Sequence, residues 1–282
     1  MESILSVRGI SKAYKDFQLK PLHLELPKGC ILGFIGENGA GKSTTIKLIL
    51  DLIRRDAGTV SIFGKDNLRD GVEIRENIGV VFDELNFPQT MNAKDVGTVL
   101  RRIYGQWDDA LYARYLQQFK LPLSKTFKEY SRGMKMKVSI AAALSHGAKL
   151  LILDEATSGL DPIVRDEILD VFLEFIQDEE RSIFVSSHIT SDLQKVADYI
   201  AFIHEGELLF CEEKDVLLHK YGILKCARSA LSALPAGTVT AFRTNHFGVD
   251  ALVLRDRYKG GEVLEKPSID DIMLFQVRGE KL

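Results

Sequence analysis

Short apolar runs alternate along the chain with longer segments in which apolar residues recur every three or four positions. Short runs are typical of buried strands and the longer segments of amphipathic helices, so the alternation predicts an α/β domain with a parallel sheet. The segments with the strand pattern are Ser3 to Val7, Ile31 to Ile35, Thr59 to Phe63, Ile78 to Val81, Lys149 to Leu153, Ser182 to Ser186 and Tyr199 to Ile203.

The helical period dominates the middle of the chain, in the segments Asp95 to Tyr104, Asp108 to Phe119 and Arg132 to Leu144. These segments predict a helical insert over about residues 90–145. Glycine and proline recur after Lys220 around short β-like stretches, and a last helix is expected near Ser268 to Phe275. We therefore expect a main domain over residues 1–221 and a small α+β domain over residues 222–282.

Composition narrows the class of protein without naming a function. The 282 residues are 45% hydrophobic and carry a net charge of −3, so no global charge points to nucleic acid. Cys30, Cys211 and Cys226 lack metal-type spacing and fit a reducing compartment. The N-terminus lacks the pattern of a signal peptide, and no apolar run reaches the roughly 20 residues of a membrane helix. If the protein acts at a membrane, we expect another chain to cross that membrane.

A glycine-rich segment follows the predicted strand Ile31 to Ile35. It consists of Gly36, Glu37, Asn38, Gly39, Ala40, Gly41, Lys42, Ser43 and Thr44, and fits the pattern G-x-x-x-x-G-K-[ST]. Glycines let the backbone wrap closely around phosphates. Lys42 supplies positive charge, Ser43 offers a hydroxyl to Mg²⁺, and the following helix directs its positive end at the anion. This loop predicts a nucleotide site but does not separate kinases, GTPases, helicases and transport ATPases.

Two carboxylates end another predicted strand, Lys149 to Leu153. Asp154 is expected to hold Mg²⁺, directly or through water, and Glu155 to polarise an attacking water. In an open parallel sheet, catalytic groups gather where strands end. Together with the phosphate loop, this pair predicts nucleotide hydrolysis.

The order of these motifs, with Ser158 to Asp161 and Phe184 to His188 downstream, resembles the ABC (ATP-binding cassette) ATPase family over about residues 3–215. The resemblance implies a P-loop NTPase core with an antiparallel β subdomain. It also implies a subunit that binds and hydrolyses ATP with Mg²⁺, dimerises around two ATP molecules and drives a separate membrane permease. Tyr14 would stack on adenine, His188 would contact the γ-phosphate, and Asp161 would lie between the two subunits.

The family signature L-S-G-G-Q corresponds here to Tyr130, Ser131, Arg132, Gly133 and Met134. By resemblance, Ser131, Arg132 and Gly133 contact ATP bound to the other subunit, although Tyr130, Arg132 and Met134 depart from the family pattern. Asp83 also departs, because the family has glutamine there. A carboxylate can still accept from Mg²⁺-bound water, so we expect Asp83 to contribute to the metal site.

The helical insert and the loop from Asp83 to Gln89 would form a groove for the permease. Phe82, Leu85, Phe87 and Pro88 are apolar for such a loop. Ordinary packing beneath the insert explains the apolar character of each of these residues equally well.

The altered motifs and the C-terminal tail, which runs from Glu265 to Phe275, resemble ATPase subunits of bacterial ABC-2-type exporters. A cytoplasmic subunit held at the inner face of the membrane by its permease is therefore expected, as a homodimer or with a paralogue, and without nucleic acid. Two alternatives stay open. One is a soluble ABC-type ATPase that acts on ribosomes or DNA, and the other is an ATP switch that hydrolyses slowly.

Overall fold

The computed structural model describes residues 2–83 and 87–281. The chain forms two compact units, residues 1–211 and 212–282. In chain order, the elements that begin within the first unit are β1 Ser3–Ala13, β2 Gln18–Pro27, β3 Ile31–Ile35, α1 Lys42–Ile49, β4 Ala57–Ile62, β5 Lys65–Asp66, α2 Gly71–Glu76, β6 Ile78–Val81, α3 Ala93–Leu100, α4 Asp109–Gln118, a 3-10 turn Phe127–Glu129, α5 Arg132–Leu144, β7 Leu150–Asp154, α6 Pro162–Phe175, β8 Ser182–Ser187, α7 Thr190–Val196, β9 Tyr199–His204 and β10 Glu207–Glu213.

A six-stranded sheet forms the centre of the first unit, with strand order β10-β9-β3-β8-β7-β6. Strand β3 pairs in parallel with β8 and β9, and β7 pairs in parallel with β6 and β8. Every residue of β3, β7 and β8 is buried, as expected for strands covered on both faces. The parallel sheet predicted from the short apolar runs is confirmed. Its carboxyl edge collects the loops that follow β3, β7 and β8.

A second sheet is antiparallel, with strand order β2-β1-β4-β5. Strand β2 buries alternate leucines, including Leu22, Leu24 and Leu26, and exposes the residues between them. This alternation is typical of a sheet with one face on the core. The sheet is the antiparallel β subdomain that the family resemblance implies.

Helices α3, α4 and α5 form the predicted helical insert. Asn92 begins α3 with a capping box, in which its side chain accepts from the backbone of Asp95 while the Asp95 carboxylate accepts from Asn92. The backbone amide of Asp108 donates to the carbonyl of Ser145 at 2.7 Å, which ties the start of α4 to the end of α5. The Tyr112 hydroxyl donates to the Ala93 carbonyl at 2.8 Å and joins α4 to α3.

The second unit has its own elements, α8 Lys214–Lys220, β11 Tyr221–Cys226, α9 Arg228–Leu231, β12 Val239–Asn245, β13 Gly248–Leu254 and α10 Ile269–Arg278. Its three strands form an antiparallel sheet in the order β11-β13-β12. Leu224, Phe242 and Val253 belong to its apolar core. We expected the second domain to begin at residue 222, whereas this unit begins at residue 212 because it includes α8.

Within residues 2–83 and 87–281, the helices are too short or too polar to span a lipid bilayer.

Candidate functional site

The glycine-rich loop turns sharply between β3 and α1. A side chain at Gly36 would place its Cβ 2.5 Å from the carbonyl oxygen of Ile203, so only glycine fits beside β9. Gly41 begins α1 in the left-handed region with φ of 111°, where other residues are strained. These two positions make the tight turn that brings backbone amides to the start of the helix.

Lys42 is buried at the first turn of α1, which contains no acidic residue. Its Nζ donates to the carbonyl oxygens of Gly36 at 2.7 Å and Glu37 at 3.2 Å. The loop therefore holds its own cation in place, beside a helix end whose free amides attract anions.

A cleft of about 500 Å³ opens above this loop, lined by Asp16, Phe17, Glu37, Asn38, Gly39, Gly41, Lys42, Ser43, Thr44 and Glu155. Most of the predicted nucleotide-binding residues thus share one cavity. Gly36 and Ala40 shape the loop without lining the cleft. Asp16 and Phe17 line it, although the sequence pattern did not single them out.

Two aromatic residues, Tyr14 and Phe17, belong to the connection between β1 and β2, and one of them lines this cleft. Phe17 lines the cavity, and its Cζ would lie 2.9 Å from a Cβ at Gly41. Tyr14 is 48% exposed, and its ring centroid lies 6.4 Å from that of Phe17. Tyr14 alone was predicted to stack on adenine; the structure places Phe17 nearer to the phosphate loop.

Asp154, the last residue of β7, is fixed by the neighbouring strand. The hydroxyl of the buried Ser186 donates to Oδ1 of Asp154 at 2.6 Å. The same hydroxyl accepts a hydrogen bond of 3.1 Å from the backbone amide of Glu155. Ser186 therefore orients both acidic residues, a role that could not be read from an isolated serine in a strand.

Glu155 lies between a lysine and a histidine. Its backbone is left-handed, with φ of 54°, immediately after β7. Its Oε2 lies 2.7 Å from Nδ1 of His188, and its Oε1 lies 3.1 Å from Nζ of Lys42. Since Lys42 directs its hydrogen bonds at loop carbonyls, Oε1 accepts no hydrogen bond from any residue that the structure describes. The structure thus brings together three residues predicted from three separate motifs.

The donor set at this edge suits Mg²⁺. Among the described residues, no cluster of three His, Cys, Asp or Glu side chains forms a complete metal cage. Mg²⁺ is instead usually held by one or two carboxylates, water and substrate phosphates. Asp154, which Ser186 orients, and the Ser43 hydroxyl in the cleft are oxygen ligands of this kind.

The residues of the family signature lie at the start of α5. Ser131 is the N-cap, and its hydroxyl accepts the Met134 amide at 3.2 Å. Gly133 lies close to α6, because a Cβ there would be 3.3 Å from Val164. The Arg132 guanidinium contacts the carboxylate of Asp83 in the same chain. Asp83 was predicted near the metal, and in this structure it forms an ion pair with the signature residue.

The turn after Glu155 leads into α6 through Asp161. Its carboxylate caps α6 by accepting the Val164 amide at 3.0 Å. Arg165 donates to the Leu160 carbonyl at 3.2 Å and lies 3.6 Å from the buried carboxylate of Asp192 on α7. Arg165 thus links this turn to the helix that follows His188, which the motif pattern did not indicate.

A smaller cavity of about 160 Å³ lies between β6, α3 and α5, lined by Val80, Val81, Phe82, Phe87, Leu100, Tyr104, Ser139, Ala142, Ala143 and His146. Tyr104 and His146 stack with ring centroids 4.0 Å apart. Burial lowers the pKa of His146, which favours the neutral imidazole. Of the residues predicted for a permease groove, Phe82 and Phe87 line this cavity, and Leu85 lies outside the described residues.

Comparison with known proteins supports the reading of these motifs. The profile described as ABC transporter matches residues 19–158. A bacitracin transport ATP-binding protein of Bacillus licheniformis is 34% identical over 215 residues, which cover 74% of this chain and 69% of that protein. The chain belongs to the ABC transporter family. As an ATP-binding subunit of this family, it is an ATPase with the P-loop NTPase fold.

Two further matches cover most of the relative's length. A lantibiotic transport ATP-binding protein of Streptococcus pyogenes is 32% identical over 223 residues, 75% of this chain and 92% of that protein. A solved structure titled as the ATP-binding subunit of an ABC transporter superposes with a TM-score of 0.66 at 27% identity. It covers 76% of this chain and 91% of its own. The ABC ATPase assignment made from the motifs is confirmed.

We predict that Ser186→Ala slows ATP hydrolysis and destabilises the fold. The change removes a buried donor to Asp154, which costs about 1–3 kcal/mol of unfolding free energy. It also frees both acidic residues to move, so turnover should fall more than the KM for ATP rises. Ser182→Ala is the matched control, because Ser182 is buried at the opposite end of the same strand. Denaturation should show a loss in both variants, and a normal turnover in Ser186→Ala would contradict the positioning role.

We predict that Phe17→Ala weakens ATP binding more than Tyr14→Ala, because Phe17 lines the cleft. Loss of a base stack costs about 1–3 kcal/mol, equivalent to a rise in Kd of about 5- to 150-fold. Calorimetric titration with ATP and with inorganic tripolyphosphate separates stacking from damage to the loop, since tripolyphosphate has no base. Tripolyphosphate affinity should be unchanged in both variants. A larger loss in Tyr14→Ala would instead support Tyr14 as the principal stack.

Proposed function

We propose that this subunit is the cytoplasmic motor of a bacterial exporter, which closes as a dimer around two ATP molecules and drives a separate membrane permease. The observation that carries the proposal is the position of Glu155 between Lys42 and His188, at the carboxyl edge of the parallel sheet. A carboxylate at the phosphate-binding loop supports the proposal, because hydrolysis of a terminal phosphate requires a group that positions the attacking water.

The two oxygens of the Glu155 carboxylate have different surroundings. Oε2 is engaged by His188, while Oε1 accepts no hydrogen bond from the described residues and faces the cation of Lys42. Oε1 is thus the atom suited to accept the proton of an attacking water. Lys42 and the amides of the loop stabilise the charge that develops on the phosphoryl oxygens. Bound Mg²⁺ supplies further charge stabilisation, and Ser43 and Asp154 would hold it.

His188 supports this step from the exposed side of the cleft. Its side chain is 43% exposed, so it can meet a γ-phosphate while its Nδ1 remains beside Glu155. We assign it the orientation of Glu155 and contact with the terminal phosphate. Asp83 would complete the metal surroundings through bound water, as predicted from the sequence.

The positions of the signature residues support dimerisation. Ser131 and Gly133 begin α5, where helix amides attract an anion, yet neither lines the cleft of this chain. ATP bound to a second subunit provides that anion, and Asp161 would lie between the subunits. The second subunit is another copy of this chain or a paralogue.

The permease would dock at the cavity beneath the helical insert. Phe82 and Phe87 provide apolar surface there, beside a stacked Tyr104 and His146. This attachment would hold the subunit at the inner face of the membrane. Export is supported by the resemblance to ABC-2-type exporters and by relatives named for bacitracin and lantibiotic transport.

We predict that Mg²⁺-dependent ATP hydrolysis by the purified chain rises in specific activity with protein concentration, because each site needs a second subunit. Lys42→Ala should abolish binding, since it removes the buried cation. Glu155→Gln should keep binding but lose turnover, because an amide does not accept the water's proton. Lys47→Ala, elsewhere on α1, is the control and should retain activity.

Three results of this assay would separate the alternatives. Equal rates in the unaltered chain and Glu155→Gln would indicate an ATP switch rather than a motor. Activity that is independent of concentration would contradict the shared sites. Binding without turnover at every concentration would indicate that a paralogue or the permease is required.

We predict that Phe87→Ser reduces binding to membranes that contain the permease, because it removes apolar surface from the groove. Washed membranes from the organism that encodes the chain can be mixed with purified variants and sedimented. Phe247→Ser is the control, because Phe247 is fully exposed in the second unit. Circular dichroism checks that both variants are folded. Equal recovery of Phe87→Ser and the unaltered chain would contradict the groove as the docking site.

A further inference from the structure

Two of the positions at which this chain departs from the family motifs contact each other. Asp83 stands where the family has glutamine, and Arg132 stands where the signature has glycine. In the structure the Arg132 guanidinium forms an ion pair with the Asp83 carboxylate, and each side chain is about half exposed at 49% and 47%. The pair joins the start of α5 in the insert to the loop that leaves β6 in the core.

Arg132 carries its charge at an unfavourable end of a helix. It is the first residue of α5, where the backbone dipole is positive, and the first turn contains no acidic residue. Lys135 adds a second cation one turn along, 3.5 Å from the Gln89 amide oxygen. An anion from outside the helix is therefore needed at this point, and Asp83 provides one in the single chain.

The guanidinium also has a defined position. A Cβ at Gly159 would lie 3.0 Å from Nη1 of Arg132, so Arg132 packs over the left-handed turn that follows Glu155. Arg132 is thus in contact with two loops of its own core, the one that holds Asp83 and the one that leads to Asp161. The charge of Arg132 is therefore placed to respond to a change in either loop.

We propose that Asp83 is an internal substitute for the terminal phosphate of ATP, holding Arg132 in the separate subunit and releasing it to the nucleotide of the second subunit when the dimer closes. This inference rests on the proposed function, because it requires a dimer that shares its ATP. Asp83 and Arg132 would then act as positioning residues, and dimer closure would exchange one anionic partner of Arg132 for another.

The exposure of the pair makes such an exchange feasible. Exposed ion pairs shift an equilibrium only slightly, by about 1.4- to 5-fold each, so a multiply charged phosphate can displace the carboxylate. Two such pairs must be exchanged in a symmetric dimer. Removal of the Asp83 charge should therefore tighten nucleotide-driven dimerisation by about 2- to 30-fold.

The experiment measures the dimer dissociation constant by sedimentation velocity, using the full chain with Glu155→Gln as the parent, at MgATP concentrations that saturate each variant. Asp83→Asn keeps an oxygen at the same reach but removes the charge, and it should tighten the dimer. Arg132→Gln removes the group that binds the second nucleotide, and it should loosen the dimer. The double variant should match Arg132→Gln, because no arginine remains to be released.

Asp109→Asn is the matched control. Asp109 forms an exposed ion pair with Arg101 at 3.1 Å in the same helical insert, and its loss should leave the dimer unchanged. A looser dimer in both Asp83→Asn and Arg132→Gln would overturn the proposal, because it would show that the pair supports the closed dimer. An unchanged dimer in Asp83→Asn would overturn it as well.

Failure of the proposed function gives a different result. If the parent dimerises with MgATP but Asp83→Asn does not tighten the dimer, only the exchange of Arg132 is rejected. A parent that binds MgATP yet stays monomeric in every variant rejects both the shared-site homodimer and the exchange. Hydrolysis itself is judged by Lys42→Ala and Glu155→Gln, which do not depend on the state of Arg132.

Discussion

Parallel pairing of β3, β8 and β7 is the constraint on which the site depends. In this register Ile35 lies beside Ser187, and Asp154 lies beside Ser186. The three following loops therefore begin at the same edge, where Glu155 lies 3.1 Å from Nζ of Lys42 and 2.7 Å from Nδ1 of His188. A shift of one residue would reverse the faces of the side chains and separate Ser186 from Asp154. The full burial of these strands makes such a shift costly.

Hydrogen bonds position the polar side chains at this edge, but one oxygen of Glu155 remains outside the network. Lys42 donates to loop carbonyls, Ser186 serves both acidic residues, and His188 engages one oxygen of Glu155. The remaining oxygen of Glu155 lies near a cation but accepts no hydrogen bond within the described part of the chain. The left-handed backbone of Glu155 is a local strain that the rigid strands on either side can maintain.

Motifs with fixed spacing made the core of this site predictable. Residues whose roles depend on neighbours that are distant in the sequence could not be predicted. The loop from Gly36 to Thr44 and the pair Asp154 and Glu155 could be recognised because local geometry demands those residue types in sequence. Ser186 gains its role only when β8 lies beside β7. Phe17 lies near Gly41 only because the connection between β1 and β2 lies beside the glycine-rich loop in the folded chain. Strand β2 was missed because the predicted strands were short apolar runs, whereas its apolar residues alternate with polar ones, which is also a strand pattern.

The ion pair between Asp83 and Arg132 also could not be predicted from the sequence. Each residue was recognisable as a departure from a family pattern, but their contact depends on how the insert packs on the core. Considered separately, a carboxylate in place of glutamine and an arginine in the signature are two weakened motifs. Considered together, they neutralise each other at a helix end that otherwise lacks an anion. Asp83 and Arg132 therefore compensate each other, at the point where the loop after β6 meets the helical insert that we propose carries motion to the permease.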